Sequence, residues 1–164
     1  MRYAAWKSRG LALMGLVALF GCGGGKEAPA GGGAPAAAPP ATGGLSAYEM
    51  ENGIGPVREA ITVGPINKEM AEQGQKLFEA KCSACHKLDQ RYVGPSLGGV
   101  TTRRTPTYIM NMILDPTDMT ELHPVAKDLL GQFMTQMPNL ALTQDQARQI
   151  VEYFRSVDAK SAGH

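Results

Sequence analysis

Cys82-Ser83-Ala84-Cys85-His86 limits what this chain can fold into more than any other stretch. Two thiols three positions apart can reach the two vinyl groups on one edge of a porphyrin. The histidine that follows at once is carried under the iron, where a ring nitrogen can ligate it. The pentapeptide therefore reads as the attachment site of one covalent haem c, with Cys82 and Cys85 as the thioether residues and His86 as an axial ligand. Two plainer readings compete. Half of a zinc site would need a second Cys or His pair at ordered spacing, which the chain does not offer. A redox dithiol of the thioredoxin kind would sit in an alternating strand and helix pattern, which is missing too.

The 164 residues, 43% of them hydrophobic, allow one ordinary domain plus something else. The something else is at the front. Residues 1–21 read as an export signal, because Arg2, Lys7 and Arg9 precede an apolar run from Leu11 to Phe20. That run is shorter than the roughly 20 apolar residues a spanning helix needs. Leu19-Phe20-Gly21-Cys22 resembles a bacterial lipobox, in which the cysteine takes lipid and becomes the mature N-terminus. The competing reading is an ordinary signal peptide with Cys22 left as a stray thiol. With Cys22 lipidated, all three cysteines are used and no disulfide is expected. Loss of Arg2, Lys7 and Arg9 takes the formal net charge from +1 to −2, so nothing supports nucleic-acid binding.

Residues 22–44 hold the candidate anchor cysteine and then a stretch with 8 Gly, 7 Ala and 4 Pro. Such a composition has almost no apolar surface to set against the entropy of ordering it, and it reads as a flexible linker of roughly 25 Å r.m.s. length. Residues 45–68 are broken by Gly53, Gly55, Pro56, Gly64 and Pro65, yet carry Ile54, Val57, Ile61, Val63 and Ile66. An extended arm laid against the domain, with little regular structure, is expected there.

Helical spacing begins near Lys68. Met70, Gly74, Leu77 and Phe78 lie along a helix running into the haem motif. Thr105-Pro106 and His123-Pro124 each start a shorter helix, to Leu114 and to about Gln132. Thr143 and Gln146 form a capping box ahead of the stripe Ala147, Ile150, Val151, Phe154 and Val157. The first and last helices should pack together, with Gly74 opposite Tyr153 and Phe154. No strand pattern stands out, and the class is all-α.

In order, Gly74 and Phe78, the Cys82 motif, Val93-Gly94-Pro95-Ser96-Leu97-Gly98-Gly99, Met137-Pro138 and an aromatic-bearing last helix follow one another. In this, residues 69–158 resemble a class I monohaem c-type cytochrome, a bundle of short helices around one covalent haem, leaving 159–164 as a tail. The resemblance implies that the Pro95 carbonyl accepts the free ring N–H of His86, and that a methionine before the last helix is the sixth ligand. Met137, followed by Pro138, matches that place; Met134 lies one turn earlier and competes for it. Met70, Met110 and Met112 sit among apolar residues and read as core. His123 is the imidazole rival, although its place at a helix start suggests a cap or a solvent-facing role, and His164 is terminal. The longer run from Gly53 also resembles lipoprotein cytochromes of bacterial respiratory chains, some of them associated with nitrous oxide reduction.

The function the resemblance implies is one-electron transfer outside the cytoplasm, at a membrane holding the lipid, with redox proteins as donor and acceptor; a terminal reductase or oxidase is a candidate. Such a carrier is not an enzyme. The rival is a haem enzyme or gas sensor with a labile sixth ligand. Lys81, Lys87, Arg91, Arg103 and Arg104 stand against Asp89 alone between positions 81 and 104, a basic patch suited to steering an acidic partner.

Overall fold

The computed structural model describes residues 44–163; the export signal, Cys22, most of the linker and His164 lie outside the described residues. Among those described, the secondary structure is helical throughout: α1 (Ala47–Asn52), α2 (Lys68–Leu77), α3 (Val100–Arg103), α4 (Pro106–Leu114), α5 (Pro116–Leu122), α6 (Pro124–Phe133) and α7 (Gln144–Ser161). One π-helical turn, Phe78–Cys82, carries α2 into the Cys82 motif.

The starts of the helices are written locally. Side chains of Ser46, Asn67, Thr105, Asp115 and Thr143 accept the free amides of the turns they precede, and Pro106, Pro116 and Pro124 take the first helical positions. The three X-Pro steps cut residues 105–133 into three short helices that change direction instead of one long rod. The Thr143/Gln146 box is present, and a second box, Ser46 with Glu49, starts α1.

The core is where α2, α4 and α7 meet. Phe78, Ile109, Met110, Ile113, Ala147, Ile150, Val151 and Phe154 are buried together, joined by Val57 from the arm. A Cβ on Gly74 would run into the Gln149 carbonyl, so the two long helices touch backbone to backbone at that point. This corrects the expected register: Gly74 faces Gln149 and Ile150, and Phe78, four residues on, meets Tyr153 at 5.5 Å and Phe154 at 5.8 Å between ring centroids. One helical turn separates the two positions, and periodicity within a helix says nothing about which turn of a partner it meets.

The arm does lie against the domain, and Asn111 is what holds it. This fully buried side chain accepts from Val57 N (2.9 Å) and donates to the carbonyls of Val57 and Asn52 (3.0 Å each), while Ile61 N donates to Thr107 Oγ1 at 2.8 Å. The expectation of little regular structure is wrong at its front, where α1 forms. His123 also differs from expectation: it is 1% exposed, makes no cap, and sends Nε2 to the Met50 carbonyl at 3.1 Å. The arm covers the helix start that the sequence leaves open to solvent.

Candidate haem site

The π-turn sets up the attachment motif. Ser83 N reaches back five residues to the Phe78 carbonyl (2.9 Å), and Cys85 N and His86 N then both bond the Cys82 carbonyl (3.0 and 2.9 Å). Single π-turns of this kind often mark functional positions, because they shift side chains around the helix without ending it. Cys82 and Cys85 are both free thiols. Burial, and then the neighbouring Cys85, push the Cys82 thiol up to about 11, so before attachment it stays protonated near neutrality.

His86 is oriented by the loop that follows. Its Nδ1 lies 3.0 Å from the Pro95 carbonyl. A carbonyl only accepts, so Nδ1 carries the proton and Nε2 keeps its lone pair for a metal. Gly94 makes the approach possible: a Cβ there would strike the His86 ring. The loop is stitched back to the motif by Gly94 N to Cys85 O, Leu97 N to Lys87 O and Gly98 N to Leu88 O, at 2.9, 2.9 and 2.7 Å.

Cys82, Cys85, His86, Pro95 and Met137 line one cavity, walled otherwise mainly by apolar side chains such as Leu97, Val100, Ile109, Ile113, Leu140 and Phe154. Met112 reaches the same wall while packing against the buried Tyr108, Met119 and Ala126 group. Met134 does not line the cavity; it is 88% exposed and ends α6 with φ of 53°. His123 is likewise absent from the wall, being turned to the arm. Cys22 and His164 lie outside the described residues.

Three residues that sequence reasoning passed over secure the loop around Met137. Gln136 Nε2 donates to Thr120 Oγ1 (2.9 Å), whose hydroxyl donates to the Pro116 carbonyl (2.8 Å). On the other side, Asn139 Nδ2 donates to the Leu114 carbonyl and its Oδ1 accepts from Ala141 N, at 3.0 and 2.8 Å. Both anchors end on the junction between α4 and α5.

The basic residues divide. Lys81, Arg103 and Arg104 reach the cavity wall, whereas Lys87 lies over the Tyr92 ring and Arg91 over the Phe133 ring, 5.2 and 4.1 Å from the centroids. Arg91 also donates to the Gln132 carbonyl at 2.9 Å.

These residues fit a haem. The cavity is apolar, two thiols stand at its edge, one imidazole is fixed in the right tautomer, Gly94 leaves room beside that ring, and the buried Tyr108 hydroxyl on the wall finds no acceptor in the protein. Among the described residues no group of three His, Cys, Asp or Glu gathers as a bare metal site, so the zinc reading finds no second ligand pair. An all-helical fold with this site defines a c-type haem protein.

The profile of the family described as Cytochrome c matches residues 71–158, and the chain belongs to that family and binds haem c covalently. It is 38% identical over 45 residues to "Cytochrome c-553-like" of Synechocystis sp., covering 27% of this chain and 43% of the relative. It is 35% identical over 48 residues to "Cytochrome c2" of Rhodopseudomonas palustris, covering 29% and 34%. The chain thus spans less than half the length of these curated relatives. The solved structure "Cytochrome c from rhodothermus marinus" superposes with a TM-score of 0.66 at 44% identity, over 69% of this chain and 97% of that one.

Proposed function

We propose that the protein is a one-electron carrier of an extracytoplasmic respiratory chain, with His86 and Met137 as the axial ligands of its haem and lipid on Cys22 as its membrane tether. The observation that carries the ligand assignment is that His86 and Met137 line one cavity from which Met134 and His123 are absent, while Met112, the other methionine on its wall, is packed against Tyr108, Met119 and Ala126. When bound, the haem supplies one-electron chemistry at iron, and a thioether opposite an imidazole favours the ferrous state and raises the potential.

The chain's own residues do the rest. Pro95 fixes the His86 ring, Gln136 and Asn139 hold the loop on either side of Met137, and the apolar wall keeps water out. With both axial positions filled by protein, no site is left for a substrate, which favours a carrier over an enzyme. The basic residues near the cavity suit an acidic redox partner.

Met137→Ala in the haem-loaded protein should abolish the weak near-infrared sulfur-to-iron band and open the ferrous form to carbon monoxide, while Met134→Ala should leave both unchanged. The reverse pattern would make Met134 the ligand. Rapid carbon monoxide uptake by the unmutated ferrous protein would favour a haem enzyme or gas sensor.

A further inference from the structure

The segment that precedes the family-matched region, residues 44–67, packs against the cavity wall, and Tyr108 is one of the side chains it meets there. This tyrosine is 4% exposed and lines the haem cavity, and its buried hydroxyl meets no acceptor in the protein, since Arg104 beside it can only donate. A buried phenolic O–H is rarely left without an acceptor, so this one implies an acceptor supplied from outside the chain. Burial pushes the phenol above its ordinary value against the opposing charge and hydrogen bond of Arg104, and the group remains a donor at neutral pH.

The arm grips Tyr108 from several directions. The His123 ring packs edge-on against it, with centroids 5.1 Å apart and planes at 82°, and His123 Nε2 donates to the Met50 carbonyl at the end of α1. A Cβ on Gly53 would lie 3.5 Å from a carbon of the Tyr108 ring and 2.8 Å from Met119 Sδ, so the arm backbone is in contact there. Thr105, which caps the backbone amide of Tyr108, donates its hydroxyl to Asn52 Oδ1 at 3.0 Å. One turn further along α4, Asn111 makes its three bonds to arm backbone.

We infer that Tyr108 donates its hydroxyl hydrogen bond to a carboxylate of the bound haem, and that the arm, acting through His123 and Gly53, is the positioning element that holds it there. A segment outside the family-matched region thereby sets part of the electron affinity of the centre. An O–H dipole with its hydrogen toward the haem stabilises the added electron, so it raises the midpoint potential.

The test is a mutant cycle on the full-length, haem-loaded protein with midpoint potential as the readout. Tyr108→Phe should lower the potential. His123→Phe, which keeps the ring contact and removes the bond to Met50, should lower it by a smaller amount in the unmutated background and by nothing further in the Tyr108→Phe background. If His123→Phe lowers helicity, Gly53→Val applies the same cycle from the arm side, since its Cβ meets Met119 and its φ of +76° disfavours a side chain. An unshifted potential in Tyr108→Phe overturns the hydroxyl's role. An arm-side variant that leaves the unmutated potential unchanged, or shifts it equally in both backgrounds, overturns the coupling. The inference needs only the covalently held haem, and a different sixth ligand would leave it standing.

Discussion

Gly74 on α2 lies so close to the Gln149 carbonyl on α7 that no side chain fits between them. Two effects oppose each other in Gly74→Ala. Alanine would gain about 1 kcal/mol of helix propensity. Overpacking costs about 1–3 kcal/mol where neighbours can yield, and here the neighbour is helix backbone, which cannot rotate aside. The variant should therefore be less stable by about 2 kcal/mol in denaturant unfolding; equal or greater stability would mean that α2 and α7 can separate freely.

Glu152 is 1% exposed on α7, between Arg148 (2.5 Å) and Arg155 (2.7 Å), and it accepts from Asn67 N at the start of α2 (3.3 Å). Burial alone would push its carboxyl up; bonds from Arg148 and Arg155 outweigh that and hold it below its ordinary value. A depressed carboxyl stabilises the fold above the unfolded value, near about 4.3, and that contribution is lost as pH falls through the lower folded value. Glu152→Gln should cost about 3 kcal/mol at pH 7, because two half-buried cations lose the buried anion between them. The gap to the unmutated protein should narrow below about pH 4. A gap that stays constant with pH would assign the cost to packing.

How much was legible follows the range of each interaction. The haem motif, the Thr105-Pro106 and Thr143/Gln146 starts and the apolar stripe of α7 are local signals, and each lies in the structure as read, the stripe buried from Ala147 to Phe154 and half-buried at Val157. The starts of α1 and α5 carry equally local marks, in Ser46 with Glu49 and Asp115 with Pro116. Helices of six and seven residues are too short to display an apolar stripe, so those marks had no periodicity to support them. Nothing local announced that His123 would be covered by Met50, or that Gln136 and Asn139 would find Thr120 and Leu114, because those contacts join segments 16 to 73 positions apart.

Lys81 is exposed and reaches the cavity rim. Electron transfer to an acidic partner should slow as ionic strength rises past about 0.1 M, where the screening length shrinks to about 10 Å. Lys81→Glu should slow it further at low salt with an unchanged spectrum. Arg91→Ala is a poorer probe, since it also removes the contacts to Phe133 and Gln132. A rate indifferent to salt would remove the steering.

Cys22→Ser should yield a red, folded, soluble protein outside the cytoplasm, because stable anchoring needs more than one acyl chain and a lipidated cysteine is the proposed source of them. Sedimentation of that variant with membranes after a salt wash would make the apolar segment from Leu11 to Phe20 the anchor instead.

Asn139 is exposed, yet it holds the loop after Met137 through the Leu114 carbonyl and steadies Ala141, whose φ is 51°. A residue held in the left-handed region tends to relax once its partner is lost, and relaxation here would carry the loop away from the cavity. Asn139→Ala should cost about 1 kcal/mol, the usual net worth of such bonds. If the cost falls on loop opening, it raises the open population about fivefold, because 1.4 kcal/mol corresponds to tenfold. Carbon monoxide uptake by the ferrous protein should accelerate by that factor, while α2 and α7 unfold at nearly the same denaturant concentration as before. Unchanged uptake would show that Gln136, through Thr120, holds the loop without help from Asn139.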